Sequence, residues 1–476
     1  MHRPWCGEAV RKQFLCFNET PYISVMERPM RKRCALFLLV VVVLVTTVLT
    51  AQEKKIFPYE YRQIRLENGL KAFLIKAGTP GQIAYVTVVR TGSRDEYEPG
   101  RSGYAHFFEH MMFRGTEKYP NFDKVPSEIG AMYNASTSND FTQYYFVAAS
   151  DALEKIIDLE SDRFMNLNYS EAQFRTEAGA ILGEFSQGES DPYYYLDEKI
   201  FDTAFDRHTY KHLTIGFEKD VRAMPEGYAY SLEFYKRYYR PENCVILLAG
   251  DFDFDRAEAL IRKYYSPWQT GYRAPEITPE PPQTSPREAT VQFPGRTLPI
   301  LSVGYKGPAW SATDKLAVAT EVLGMVAFGP NSEIYKKLVI QEQKVQSFSA
   351  DFELMRDPGL LEVITMVTDP AGVPAVKDEI ERTLEHFNSV LCDNRLLEDT
   401  KSAMKYGFLM RLETAQGVCF ALRPMVVFTG DIGSVEDYYR TLDSITPEDV
   451  LAAAKRYLVK EDRTTVTLVP AKEAKR

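Results

Sequence analysis

Two of the chain's six histidines fall in one pentapeptide, His106-Phe107-Phe108-Glu109-His110. On a helix, positions i and i+4 lie one turn apart on the same face, so both imidazoles can reach one cation. Glu109 follows His106 by three residues, on nearly that face, where a carboxylate can take a proton from an attacking water. The order H-x-x-E-H is the inverted form of the zinc-protease helix. The competing reading is a surface helix carrying two solvated histidines.

Two histidines do not complete a catalytic zinc site, which needs three protein ligands and an open position. The third must come from another element, and the predicted helix from Glu171 to Phe185 offers Glu177 and Glu184. They stand seven residues apart, two helical turns, and so project from one face. One can bind the cation while the other braces a ligand histidine through its free N–H. Spacing alone does not say which does which.

The elements that must position these groups form a repeated pattern. In the first part of the chain, Tyr61–Arg65 and Leu70–Ile75 read as strands around the Asn68-Gly69 turn, a strong hairpin signal. A β-rich run from Ala84 to Arg90 then leads through a glycine-bearing loop to the histidine helix. In the second part, Ala289–Phe293 and Ile300–Tyr305 read as strands, and a loop with Gly307 and Pro308 leads to an apolar helix, Asp314–Val326. Paired helices follow in both: 152–166 and 170–185, then 376–391 and 395–412. Each part closes on a strand, Cys244–Ala249 and Thr465–Val469. The pattern predicts a duplicated α+β unit, with an antiparallel-rich sheet and helices packed on one face. The expected division is a catalytic domain over 52–271, a proline-rich linker over 272–287 and a second domain over 288–476. The helix of the second unit contains no histidine, so only the first can hold the metal.

The remainder of the chain excludes other classes. With 57 basic and 66 acidic residues, a net charge of −9 and no basic stripe, nucleic-acid binding is not expected. Arg28 and Arg31–Arg33 precede an apolar run from Ala35 to Leu49, which reads as a signal peptide cleaved after Ala51. The protein is therefore expected to be exported, periplasmic or extracellular. A membrane anchor is the alternative if that segment is retained. Beyond it only Cys244, Cys392 and Cys419 remain, too few and too scattered for a disulfide framework or a cysteine metal site.

Gly92-Ser93-Arg94-Asp95-Glu96 and the stretch from Gly103 through His106, Glu109 and His110 to Gly115-Thr116 resemble the signature of the pitrilysin family of zinc peptidases. That family includes insulin-degrading enzyme and the mitochondrial processing peptidase. The resemblance continues through Asn134-Ala135-Ser136-Thr137, Thr176-Glu177 to Glu184, Thr214-Ile215-Gly216 and Pro241-Glu242-Asn243. It implies two homologous domains forming half of a clamshell. It also implies one zinc ion per chain on His106, His110 and Glu184, with Glu109 as general base and Glu177 as the supporting acid. Tyr133–Thr137 followed by Phe141–Val147 has the alternation of an edge strand, suited to holding a peptide by strand addition. The resemblance gives Asn134 and Ala135 that substrate-binding role.

One stretch departs from the family. Active members carry an Arg and a Tyr in a segment resembling L-R-x-x-x-G-L-A-Y, and the matching Leu338–Ser347 has neither. The favoured expectation is a homo- or heterodimer in which a related chain supplies the pair; the alternative is that nearby groups of this chain substitute for it. A non-catalytic binding or assembly subunit is the alternative function, although such subunits lose the His/Glu set. His208 and His212 repeat the i, i+4 spacing in a polar stretch and read as a solvated loop. Asp191-Pro192-Tyr193-Tyr194-Tyr195 is read as cleft lining or, more simply, as packing.

Overall fold

The computed structural model describes residues 55–78 and 80–471; the expected leader over 1–51 lies outside them. Two sheets organise these residues. The first contains β1 (Tyr61–Arg65), β2 (Lys71–Lys76), β3 (Gln82–Val89), β4 (Met132–Thr137), β5 (Thr142–Ala149) and β6 (Cys244–Gly250), in the order β1-β2-β6-β3-β5-β4. The second contains β7 (Arg287–Phe293), β8 (Ile300–Lys306), β9 (Val345–Asp351), β10 (Leu360–Val367) and β11 (Arg463–Pro470), in the order β7-β11-β8-β10-β9. Apart from β1 the two orders are the same, and in each only the pair closed by the last strand, β2–β6 or β7–β11, is parallel. The duplicated α+β unit expected from the sequence is present.

Local sequence accounts for the first elements. Asn68-Gly69 closes the β1–β2 hairpin, with Gly69 at φ +92°, where a side chain would strain the backbone. β3 alternates without a polar face. Ile83 and Tyr85 point to one side of the sheet, while Ala84, Val86 and Val88 point to the other, all fully buried. A strand of that kind must be covered twice.

The two covers come from different parts of the chain. One face of the first sheet packs against its own helices: α1 (Tyr104–Met111), α2 (Leu153–Asn166), α3 (Glu171–Gly188) and, following α4 (Pro192–Ala204) along the chain, α5 (Tyr228–Tyr238). The opposite face is covered by α7 (Ala415–Phe428), more than 300 residues downstream of β3 on the sequence. Cys419 of α7 lies against the strands themselves, its Sγ 3.8 Å from the Ala84 carbonyl oxygen and 3.7 Å from that of Leu247. The exchange is reciprocal. α4 (Pro192–Ala204), from the first half, packs Leu196, Ile200 and Ala204 on Phe293, Ile300, Leu360, Val466 and Leu468 of the second sheet. The other face of that sheet is covered by second-half helices, including α6 (Lys315–Phe328).

The proline-rich run between the sheets is extended but held. Glu280 accepts hydrogen bonds from the amides of Asp206, Arg207 and His208 at 2.7–2.9 Å, and Gln283 donates to the carbonyls of Glu461 and Arg463. Among the described residues no helix is long and apolar enough to cross a membrane. Cys244, Cys392 and Cys419 are free and buried.

Candidate zinc centre and peptide-binding edge

The motif helix α1 starts at Gly103, whose φ is +92°; a Cβ there would stand 2.6 Å from the carbonyl oxygen of Ile215. This close approach explains why Thr214-Ile215-Gly216 accompanies the motif. No side chain of Gly103 can cap the helix, and the buried carboxylate of Glu96 does so instead. It accepts from the amides of Gly103 at 2.7 Å and Ala105 at 2.6 Å. Burial raises the Glu96 pKa, and these two amides draw it back only in part.

Phe107, Phe108 and Met111 form the buried side of α1. Phe108 stacks on Phe234 of α5, Phe107 meets Phe174 of α3, and the Tyr144 hydroxyl donates to the Phe108 carbonyl at 3.1 Å. The opposite side carries His106, Glu109 and His110. α3 is begun by a capping box between Ser170 and Gln173, and buries Phe174, Ala178, Ile181 and Phe185. That packing sets Glu177 and Glu184 opposite the histidines.

The groups converge. His106 Nε2 lies 3.4 Å from Glu184 Oε2, and His110 Nε2 lies 3.4 Å from Glu184 Oε1. One donor atom from each of the three falls within 4.8 Å of the others. His110 Nδ1 is 3.0 Å from Glu177 Oε1, so the imidazole donates there and leaves its Nε2 lone pair facing Glu184. Glu177 is itself clasped by the guanidinium of Arg114, one turn beyond His110. Arg114 is a site residue that the sequence reading missed, although its i+4 spacing from His110 was a usable signal.

Burial holds the His106 pKa down to about 4, with the neighbouring His110 adding to the effect. The ring is neutral at ordinary pH, as a metal ligand must be. For His110 burial also works downward, but the Glu177 hydrogen bond and the Glu184 and Glu109 carboxylates outweigh it and raise the value. Two imidazoles and a carboxylate, one imidazole already braced, are the donor set of a single mononuclear zinc site.

Glu109 takes its hydrogen-bond partner from the sheet. Its Oε2 accepts a hydrogen bond from the Thr137 hydroxyl at 2.6 Å, at the end of β4. Burial raises its pKa, and the Thr137 hydroxyl restrains the rise. Among the described residues β4 pairs only with β5, and its other edge is the free edge of the sheet. Asn134 is exposed there and accepts from the Ala135 amide at 2.9 Å, while Ala135 is buried. Thr137 thus joins the free edge to the Glu109 carboxylate.

His208 and His212 are not solvated, contrary to the sequence expectation; they are only 3% and 6% exposed. Their acidic partners come from distant sequence. His208 Nε2 bonds to Asp357 at 3.0 Å, and His212 Nε2 lies 3.8 Å from Glu96. No second metal cluster forms there or elsewhere among the described residues. The tyrosines after Asp191 are packing residues, Tyr194 against Phe185 and Tyr195 against Phe293. Leu338–Ser347 contributes no side chain to the donor set.

A family model described as insulinase, peptidase family M16, matches residues 73–216, and one described as the peptidase M16 inactive domain matches residues 228–403. The zinc protease PqqE of Helicobacter pylori is 28% identical over 440 residues, covering 90% of this chain and 97% of that protein. The crystal structure of a protease from Helicobacter pylori is 26% identical and superposes with a TM-score of 0.81, over 87% of this chain and 100% of its own. The beta subunit of the mitochondrial-processing peptidase of Bos taurus is 24% identical, over 87% of this chain and 85% of its own. The chain belongs to the M16, or pitrilysin, family of zinc peptidases and is a peptide-bond hydrolase with tandem α+β domains, the metal cluster in the first.

Proposed function

We propose that this protein is a zinc metalloendopeptidase cutting peptides, or unfolded protein segments, laid as an added strand along β4. The observation that carries the reading is the approach of His106 Nε2, His110 Nε2 and the Glu184 carboxylate to within one coordination sphere, beside a glutamate tied to a free sheet edge. His106, His110 and Glu184 would hold one zinc ion, and Glu177 would fix the His110 ring through Nδ1–H. When bound, zinc supplies Lewis acidity, polarising the scissile carbonyl and bringing the pKa of water toward ~7.

The chain's own residues do the remainder. The substrate backbone pairs with the free edge of β4 near Asn134 and Ala135, which holds the peptide with little demand on its side chains. Glu109 accepts the proton of the attacking water and returns it to the departing amine. The Thr137 hydroxyl, donating to Glu109 Oε2, steadies the ionised carboxylate and aims its other oxygen.

The missing Arg/Tyr pair supports a partner chain of the same family that faces the site. The bovine relative, named as a subunit, is consistent with such an assembly. The apolar run at Ala35–Leu49 behind a basic flank supports export.

Glu109→Gln tests the mechanism. The variant is expected to bind zinc at one equivalent by metal analysis, yet to lose about 10²–10⁴-fold in kcat on a fluorogenic peptide. Wild-type cleavage by zinc-loaded Glu109→Gln would overturn it.

A further inference from the structure

A peptide added to β4 turns alternate side chains to the two faces of the sheet. One is the metal face, where Thr137 meets Glu109. On the other face stand Asn134 and Ser136, in register with Tyr145 and Gln143 of β5. The floor on that side is α7, contributed by the second half of the chain. Its Phe420 ring lies 5.2 Å from Tyr145 at 86°. The next turn of α7 presents Arg423, whose guanidinium lies 4.6 Å from the Phe141 ring centroid and 5.6 Å from that of Phe420.

Two features set Arg423 apart from the structural arginines nearby. Arg90 and Arg356 spend their guanidinium hydrogen bonds on main-chain carbonyls of Val427, Arg90 and Asp140. Arg356 shares a buried, unpartnered Nε but bonds through both of its Nη groups, whereas Arg423, half-buried rather than sealed, makes no hydrogen bond to a described residue through any of its nitrogens. Burial lowers its pKa, Glu353 opposes that and Arg411 adds to it, both through space without an ion pair or a repulsive contact. A guanidinium resting on two rings with free donors suits a planar carboxylate.

Its position along the strand is also specific. Ser138 and Phe141 close the β4–β5 turn with a 2.8 Å backbone hydrogen bond. Thr137, which touches Glu109, precedes that turn, and Phe141, beneath Arg423, ends it. The catalytic carboxylate and the guanidinium therefore sit at the same end of β4, on opposite faces of the sheet.

We propose that Arg423 is a specificity-determining residue that reads an acidic side chain of the substrate close to the scissile bond, on the sheet face away from the metal. This rests on the strand-addition reading of β4. A residue of the second half, on a helix exchanged into the first sheet, would thus select what the first half cuts.

The test compares matched fluorogenic peptides carrying Glu, Gln or Lys at each position around the cleaved bond, with the native full-length assembly. Wild type is expected to favour Glu over Lys at one position by about tenfold in kcat/KM. Arg423→Glu should reverse that order at the same position, and Arg423→Lys should restore it. Arg423→Met, which keeps the cover on Phe141, should abolish the preference and serves if the charge reversal does not fold. Identical Glu/Lys profiles in wild type and Arg423→Met would overturn the proposal. Backbone N-methylation of the same peptides separates the two readings. If alternate N-methyl groups block cleavage but Arg423 variants leave the profile unchanged, strand addition stands and Arg423 has no role in selection. If N-methylation has no effect, the β4 reading itself fails.

Discussion

α1 and α6 occupy the same place in the two repeats, each following the strand that pairs with the closing strand, β3 in one and β8 in the other. Their surroundings differ. α1 buries one side and leaves His106, Glu109 and His110 on the other. α6 buries Ala317 to Thr320, Val322 to Gly324 and Val326 to Phe328, because it lies in the shared core between its own sheet and the remaining second-half helices. Only the strip of Glu321 and Met325 escapes this cover along the body of the helix, and a strip that narrow offers no second element a set of ligands. The second repeat therefore lacks the metal for a reason of packing as well as of residue type, and its contribution to the first is the cover that α7 lays on the sheet.

The sharpest way to break this comparison is at the metal face. His110→Ala should leave fewer than three donors, release zinc on dialysis and lower kcat/KM by about 10³-fold or more, read by metal analysis and peptide cleavage. Next comes the exchanged cover. Leu422, fully buried on α7, should cost about 2–5 kcal/mol when truncated to Ala, read by denaturant unfolding. If the halves were independent bodies, the first-half transition would not move; the interlocked core requires both to shift together.

The smallest effect concerns the contact between Asp357 of the second half and Arg94 and His208 of the first, at 2.6 and 3.0 Å. Burial alone would raise the Asp357 pKa, but the His208 hydrogen bond and then Arg94 outweigh it and hold the carboxylate below its ordinary range. A carboxyl group depressed in the folded state stabilises above its unfolded pKa near 3.9 and loses that stabilisation as pH falls further. Asp357→Asn should cost about 2 kcal/mol at neutral pH, with the gap to wild type closing below about pH 4 in thermal melts across pH.

The metal site was legible because its signals are local. His106, Glu109 and His110 share one helical turn, and Glu177 and Glu184 share one helix face, so spacing sets their common directions, while the choice of Glu184 over Glu177 as third ligand rested on the family resemblance. The hairpin at Asn68-Gly69 and the repeated strand–loop–helix succession were legible for the same reason, whereas β9, β10 and the order of strands within each sheet were not. The helix exchange was not. Leu196, Ile200 and Ala204 announce an apolar stripe, but periodicity says nothing about which sheet it meets. The same limit explains His208 and His212, whose polar flanks resemble a solvated loop until Asp357, 149 residues away, is folded over His208.

The reciprocal placement of α4 and α7 also dictates an order of events in folding. Until α7 arrives, the back of β3 and β6 lacks its lining, which begins about 165 residues past the end of β6. A nascent first half would display a broad greasy surface during that interval, an invitation to chaperones and a hazard without them.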